Sequence, residues 1–401
     1  MTKVRQNDVK STGVRTLQDL PSETLHNIIV HAVSDSDTWR AYKTHLSLSL
    51  TSRHLNKVTN ATKAMRDYKE NLDRDILMSK AVVEAYFPGD KFSGNDKRLF
   101  EYQTDAVSEI IRSLSPEKRS QVFRGIASAE DDKKRMEGYA NIATQADFLT
   151  KEEAAKMDRE ALDNFKGHSV WPDNLNPAAR VLAIRYHDID SDARQQIRHV
   201  LFSDVNRQRR IEFSNAIIAC KPSLLKEDFR LAEMVRTSID DLFDPHGALA
   251  VIADHVDKKS PLGTDFVVRE SLRFIGKPTE FGAEHGRNAP ALAIARVIDG
   301  EIRPEYRDQI RTLTESDSVE GRALVAALST VEKGKPREVP IEGGISGTTE
   351  LFSELIISID EPDIRTAVEG VSAVARSARR GTDAAREALM NTVRERDDWA
   401  R

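Results

Sequence analysis

The sequence predicts an all-α protein with three parts: a short helical head, a long array of tandem helical units, and an arginine-rich tail. Three observations lead there. Apolar residues recur three and four positions apart through much of the 401-residue chain, which is the period of an amphipathic helix. Aromatic residues make up 6% and charged residues 31%, and Ala, Leu, Glu and Arg are frequent; this composition suits helices better than pleated strands. A stretch of chain also repeats itself, Leu114–Val122 matching Ile189–Ile197, as tandem helical units do.

Composition also sets some classes aside. Lys and Arg number 60 against 65 Asp and Glu, a net charge of −5. A nucleic-acid binder shows a basic excess, so nucleic acid is not an expected partner. The single cysteine, Cys220, forms no internal disulfide and fits a reducing compartment. No run of 18 apolar residues occurs, so no membrane contact is expected. Residues 1–13 are polar without an apolar h-region, so no secretory signal peptide is expected.

Taken in order, residues 1–16 read as a mobile arm. Residues 17–60 form the head. Leu20-Pro21-Ser22-Glu23-Thr24-Leu25 is a helix start, with Ile28 and Ile29 following at helical spacing, Pro at the first helical position and an acid just behind it. Leu46, Leu48, Leu50, Leu55 and Val58 read as a second compact helix, with Leu46, Leu50 and Val58 on one side. A module this small buries a poor core alone and wants a partner. Leu20, Pro21, Glu23, Leu25, Ile28, Leu48, Ser49, Leu50, Thr51, Ser52 and Arg53 together resemble an F-box, whose pattern is Leu-Pro-x-Glu followed some twenty residues later by Leu-x-Leu-[Val/Thr]-Ser-[Lys/Arg]. Ala32 and Leu55 depart from it, standing where a larger aliphatic and a Trp are usual. The resemblance implies docking onto a Skp-family adaptor of a cullin-based ubiquitin ligase. Leu20, Pro21, Glu23, Leu25, Ile28, Leu48, Leu50 and Ser52 would make that contact. Leu20, Pro21 and Ile28 are expected as its exposed apolar anchor.

Residues 61–112 read as helical, broken by the turns Phe87-Pro88-Gly89-Asp90 and Ser93-Gly94-Asn95-Asp96. From residue 114 the repeats begin. The first two copies stay in ungapped register, Leu114 falling on Ile189, Ser128 on Ser203, Arg135 on Arg210, Ile142 on Ile217 and Leu149 on Leu224. A third copy runs Ile302-Arg303-Pro304-Glu305-Tyr306-Arg307-Asp308-Gln309-Ile310. Val122, Ile197 and Ile310 should then occupy equivalent buried positions. Third helices are expected from Thr150-Lys151-Glu152-Glu153, a capping-box pattern, and from Leu225-Lys226-Glu227-Asp228. A degenerate unit is expected over 244–300. Units of this kind stack, because none buries its apolar face alone. They resemble HEAT-like repeats, which implies an α-solenoid over 61–332 with a concave target-binding face.

Residues 333–349 hold four Gly and two Pro and read as a linker. The segment 350–401 ends in an Ala- and Arg-rich stretch containing Arg386, Arg394, Arg396 and Arg401. The Arg-x7-Arg-x-Arg spacing resembles the C-terminal export signal of effectors moved by Agrobacterium-type type IV secretion systems. Val374-Ala375-Arg376-Ser377 and Asp383-Ala384-Ala385-Arg386-Glu387-Ala388-Leu389-Met390 resemble the tail of that family's F-box virulence effector. Asp398 stands where the pattern carries another Arg. The tail is expected to be exposed, poorly packed and dispensable for folding.

Other groupings read as structural. Asp188, Asp190 and Asp192 lack the Gly and Glu of a calcium loop and read as helix caps. His246, His255 and His285 match no metal spacing, Gly343–Gly347 opens no phosphate loop, Cys220 reads as a small buried residue, and Arg207–Arg210 as a solvated helix face. No catalytic, metal or cofactor site is expected. The resemblances together imply a non-enzymatic adaptor made in a bacterial cytoplasm and secreted into a plant cell. Its partners would be the host Skp-family adaptor, a host target protein and the type IV coupling machinery. The alternatives are a helical scaffold without ligase contact and a HEAT-like DNA-repair enzyme.

Overall fold

A computed structural model describes residues 22–51, 53–86, 104, 107–167, 176–203, 207–242, 244–259, 261–275, 284–332 and 377–391. Among the described residues the ordered elements are helical and no strand forms. The all-α expectation holds. The two glycine turns expected at 87–96, the 333–349 linker and the Gly343–Gly347 motif lie outside the described residues.

The described chain divides into two compact units. The first holds residues up to 129, 145–150 and 377–391; the second holds 130–144 and 151–332. In the first, α1 (Ser22–Val33), α2 (Thr38–Thr51) and α3 (Arg53–Thr59) pack on one another, and α2 packs on α4 (Lys63–Tyr86). Met65, Tyr68, Leu72, Asp75, Ser79 and Val83 line the buried stripe of α4 at three- and four-residue spacing. The stripe is apolar in its first half, and its second half carries the polar Asp75 and Ser79 before Val83. A short 3₁₀ turn, Ile111–Ser113, precedes α5 (Pro116–Ala127), where the Ser115 side chain accepts from the Lys118 N–H and Pro116 takes the first helical position.

The second unit runs through α6 (Asp132–Ile142), α7 (Lys151–Lys166), α8 (Pro177–Ile184), α9 (Ser191–Phe202), α10 (Arg207–Cys220), α11 (Leu224–Glu227), α12 (Phe229–Thr237), α13 (Pro245–His255), α14 (Pro261–Phe274), α15 (Glu284–Val297), α16 (Pro304–Thr314) and α17 (Val319–Glu332). Helices meet those close to them in sequence: α8 meets α10, α13 meets α15, and α15 meets α17. The inner helices share a pattern the sequence reading passed over. Pro177, Pro245 and Pro290 each lead an Ala-rich run, and Ala178, Ala179, Ala183, Ala248, Ala253, Ala291 and Ala293 are buried in them. Small side chains let the helix backbones approach closely. The stretch read as one degenerate unit therefore holds α13, α14 and α15.

The repeat positions carry a common local device. Val122, Ile197 and Ile310 are 0%, 0% and 5% exposed, each in a helix preceded by a buried Leu114, Ile189 or Ile302. Arg119 donates to the Ile111 and Arg112 carbonyls, Arg194 to those of His187 and Ile189, and Arg307 to those of Gly300 and Ile302. In each copy an arginine one turn into the helix satisfies carbonyls left open just before it. One boundary differs from expectation. The segment read as a helix starting at Leu225 breaks at Asp228, whose carboxylate accepts from the Arg230 and Leu231 N–H groups and caps α12 instead.

The C-terminal helix, α18 (residues 377–391), belongs to the first unit. Leu389 is fully buried in the head core with Leu25, Ile29, Tyr68 and Leu72, and Ala385 and Met390 pack against it. The exposed, poorly packed tail is thus corrected over these residues. Ala378, Thr382, Ala385 and Leu389 lie four, three and four positions apart, which puts them on one helix face.

Candidate functional site

The residues singled out in the sequence fall mainly on the head, which is built around Leu25, Ile29, Val30 and Val33 of α1, Leu55 and Val58 of α3, and Met65, Tyr68 and Leu72 of α4. The Tyr68 hydroxyl donates to the Val33 carbonyl at 2.9 Å, closing the C-terminal end of α1. Burial pushes the Tyr68 phenol up to about 12, so it stays a donor across ordinary pH.

The loop from α1 to α2 is tied down by charge. The Asp35 carboxylate accepts from the Asp37 N–H at 2.9 Å, and Asp37 accepts from the Arg40 N–H at 3.1 Å at the start of α2. Asp37 also receives two hydrogen bonds from Arg119, at 2.7 and 2.9 Å. Both residues are 5% exposed. The Arg119 guanidinium further donates to the Ile111 and Arg112 carbonyls, and the Phe148 ring centre lies 5.2 Å away. This is a buried bidentate pair with its remaining donors satisfied, the arrangement in which a buried ion pair is tolerated.

The inner face of α2 is small and polar: Thr38, Ala41 and His45 are buried. Ser49 lies 3.5 Å from His45 Nδ1 and 3.3 Å from the buried Thr59 hydroxyl. Burial, with Lys69 nearby, holds the His45 imidazole below its ordinary pKa, against a smaller opposing pull from Asp73.

Against this frame the expected contact residues separate. Ile28 is 40% exposed and shares an outward face with Thr24, His31 and Ala32 of α1. Leu50 is 77% exposed, and Leu46, one turn before it, is 38% exposed. Leu25 is a core residue at 1% exposure, which corrects its place among surface contacts; Leu48 packs against the same core from the side. The expected grouping of Leu46 and Leu50 with Val58 is also corrected. Leu55 and Val58, on α3, are buried, while Leu46 and Leu50, on α2, are exposed. Leu20, Pro21 and Ser52 lie outside the described residues, as does the Glu23 side chain.

At the other end of the chain, Arg386 lies on α18, 3.5 Å from Asp383. Arg379 pairs with Glu109 and Asp383 with Arg112, each at 2.8 Å. Arg394, Arg396 and Arg401 lie outside the described residues.

Three features of the second unit revise the sequence reading. Arg209 is buried, donating to Glu212 at 2.8 Å and to the Gly167 carbonyl, so this stretch is more than a solvated face. Glu212 is fully buried and also accepts from Asn176 at 2.9 Å. Cys220 is half-buried. Asp190 accepts from the Ala193 N–H at 2.7 Å and caps α9, as expected of that aspartate run. His246 is buried beside the Phe274 ring and His255 faces the Val251 carbonyl; the His285 side chain lies outside the described residues. No group of three or more His, Cys, Asp or Glu side chains gathers to hold a metal among the described residues. A cavity lined by Leu225, Ala232, Arg236, Ile252, His255 and Val256 has a volume of about 10 Å³, room for one water.

Compared with family models, curated proteins and solved structures, the chain matches none.

Proposed function

We propose that the chain is a non-enzymatic F-box adaptor: its head docks on a Skp-family subunit of a host ubiquitin ligase, and its helical array presents a target protein for ubiquitination. The observation that carries this reading is the exposure of Ile28 and Leu50, at 40% and 77%, on helices whose opposite faces already fill the head core. Both occupy positions of the two half-motifs, and apolar side chains that serve no internal packing are the kind an interface covers. A short helix pair joined by a pinned loop, as Asp37 and Arg119 provide, gives such an anchor a fixed geometry.

The array supports the second half of the proposal. Its helices contact neighbours near in sequence, and the recurrent arginine that satisfies the carbonyls before each repeat helix favours a HEAT-like solenoid. Such a solenoid binds along one continuous face. The arginines of the C-terminus support export by an Agrobacterium-type type IV system into a plant cell.

The test is a pull-down of the full chain with a plant Skp-family adaptor. Wild type should bind. Leu20→Ala with Pro21→Ala, and separately Ile28→Glu, should abolish binding with helical content unchanged by circular dichroism. Unchanged binding in both variants removes the F-box assignment.

A further inference from the structure

Helix α18 docks on the head through a mixed surface. Leu389 is its one large apolar residue fully buried among those described; Ala378 and Thr382 complete the inward face at 9% and 3% exposure. The Thr382 hydroxyl donates to the Asn71 carbonyl at 3.3 Å. A Cβ at Gly381 would stand 2.7 Å from the Asn71 side-chain oxygen, so α18 approaches α4 closely there and a larger side chain has to displace Asn71. Ala385 and Met390 pack against the edge of the head core, and two ion pairs add to the contact: Arg379 with Glu109, partly exposed and so screened by solvent, and Asp383 with the buried Arg112. Beneath Thr382 lies a buried carboxyl, Asp75. Ser79 of α4, Ser113 of the 3₁₀ turn and Thr382 of α18 surround it, with Arg112 the nearest opposite charge. Burial raises the Asp75 pKa, so the docked helix covers a group that prefers water when ionised.

We propose that α18 is a releasable latch. Docked, it closes the α4 side of the head and holds Arg379 against Glu109; released, it offers Arg379 to an acidic receptor beside Arg386, whose partner Asp383 lies on α18 itself. One large, fully buried apolar side chain, flanked by small or partly buried neighbours and polar contacts, makes an attachment weaker than the head's own core, so the helix opens before the head unfolds. Docking and use as a cationic signal compete at Arg379, whose guanidinium pairs with Glu109 of the head in the docked helix. The identity of the receptor rests on the export reading above; the latch does not.

Native-state hydrogen exchange on the full chain tests it. In wild type, amides of 378–391 should exchange at least about tenfold faster than the buried stripe of α4, by an opening insensitive to low urea. Gly381→Leu should speed exchange of 378–391 about tenfold further and leave α13–α15 unchanged. Arg379→Gln, a milder surface change, should move 378–391 in the same direction by a smaller factor. A labelled peptide of residues 371–401 should bind the Gly381→Leu chain in trans at least tenfold more tightly than wild type, whose own helix competes. Exchange of 378–391 only in step with α4 in wild type and both variants, or equal peptide binding to wild type and Gly381→Leu, overturns the latch. Neither readout involves a ligase adaptor or a secretion machine, so these results separate from failure of the adaptor pull-down or of transfer into a host cell.

Discussion

Replacing Asp37 should destabilise the head more than any surface change on it. Asp37→Ala removes two hydrogen bonds to Arg119 at 2.7 and 2.9 Å and one from the Arg40 N–H at 3.1 Å. The guanidinium remains 5% exposed, still bound to two carbonyls but facing an empty carboxylate site. Breaking one side of a buried pair costs about 3–5 kcal/mol, and loss of a cap adds roughly 1 kcal/mol. With a urea dependence of about 2 kcal/mol per molar, the unfolding midpoint of the head falls by roughly 2 M. Urea titration followed by fluorescence of Trp39, which sits on α2 two residues from the pair, reports it. Asp37→Asn keeps a capping oxygen and should lose less. Asp37→Asn with Arg119→Met removes both charges and should recover much of the Asp37→Ala loss, because the cost lies in the unpaired ion. A midpoint shift below about 0.5 M for Asp37→Ala, or a double variant worse than the sum of its parts, refutes this account.

Two further outcomes follow from the same core. Leu389→Ala should destabilise the head by about 2–5 kcal/mol in urea unfolding, while the same change at Leu50, 77% exposed, should stay within about 0.5 kcal/mol. His45 is held below its ordinary pKa by burial, so the unfolded chain binds a proton before the folded one does; head stability should be full above about pH 6.5 and fall as pH drops from there through the folded value. His45→Gln should flatten that part of the curve in urea midpoints measured between pH 7.5 and 5, and an unchanged slope counts against the buried neutral imidazole.

What the sequence made legible, and what it did not, follows from which interactions have a period. Helix starts were readable because their chemistry is local: Pro116, Ser115 and Asp190 stand where caps and first turns need them. Repeat positions were readable because Val122, Ile197 and Ile310 sit in the same local string. The faces of α2 were not. An apolar count puts Leu46 and Leu50 inward, yet the buried positions are Thr38, Ala41 and His45, because polar groups that find partners can be buried and hydropathy does not tell an exposed leucine from a buried one. The Asp37–Arg119 pair spans 82 residues, and no spacing rule reaches that far. The C-terminal helix shows how one signal hides another. Its inward face, Ala378, Thr382, Ala385 and Leu389, has an ordinary helical period, but two of the four are Ala and one is Thr, so the arginines dominated the reading. Charge on a helix describes the side facing water; a single buried leucine with three small neighbours is enough to decide which side faces the protein. For that reason the proposed adaptor face and the C-terminal helix, read separately along the chain, are best tested together on the one folded head.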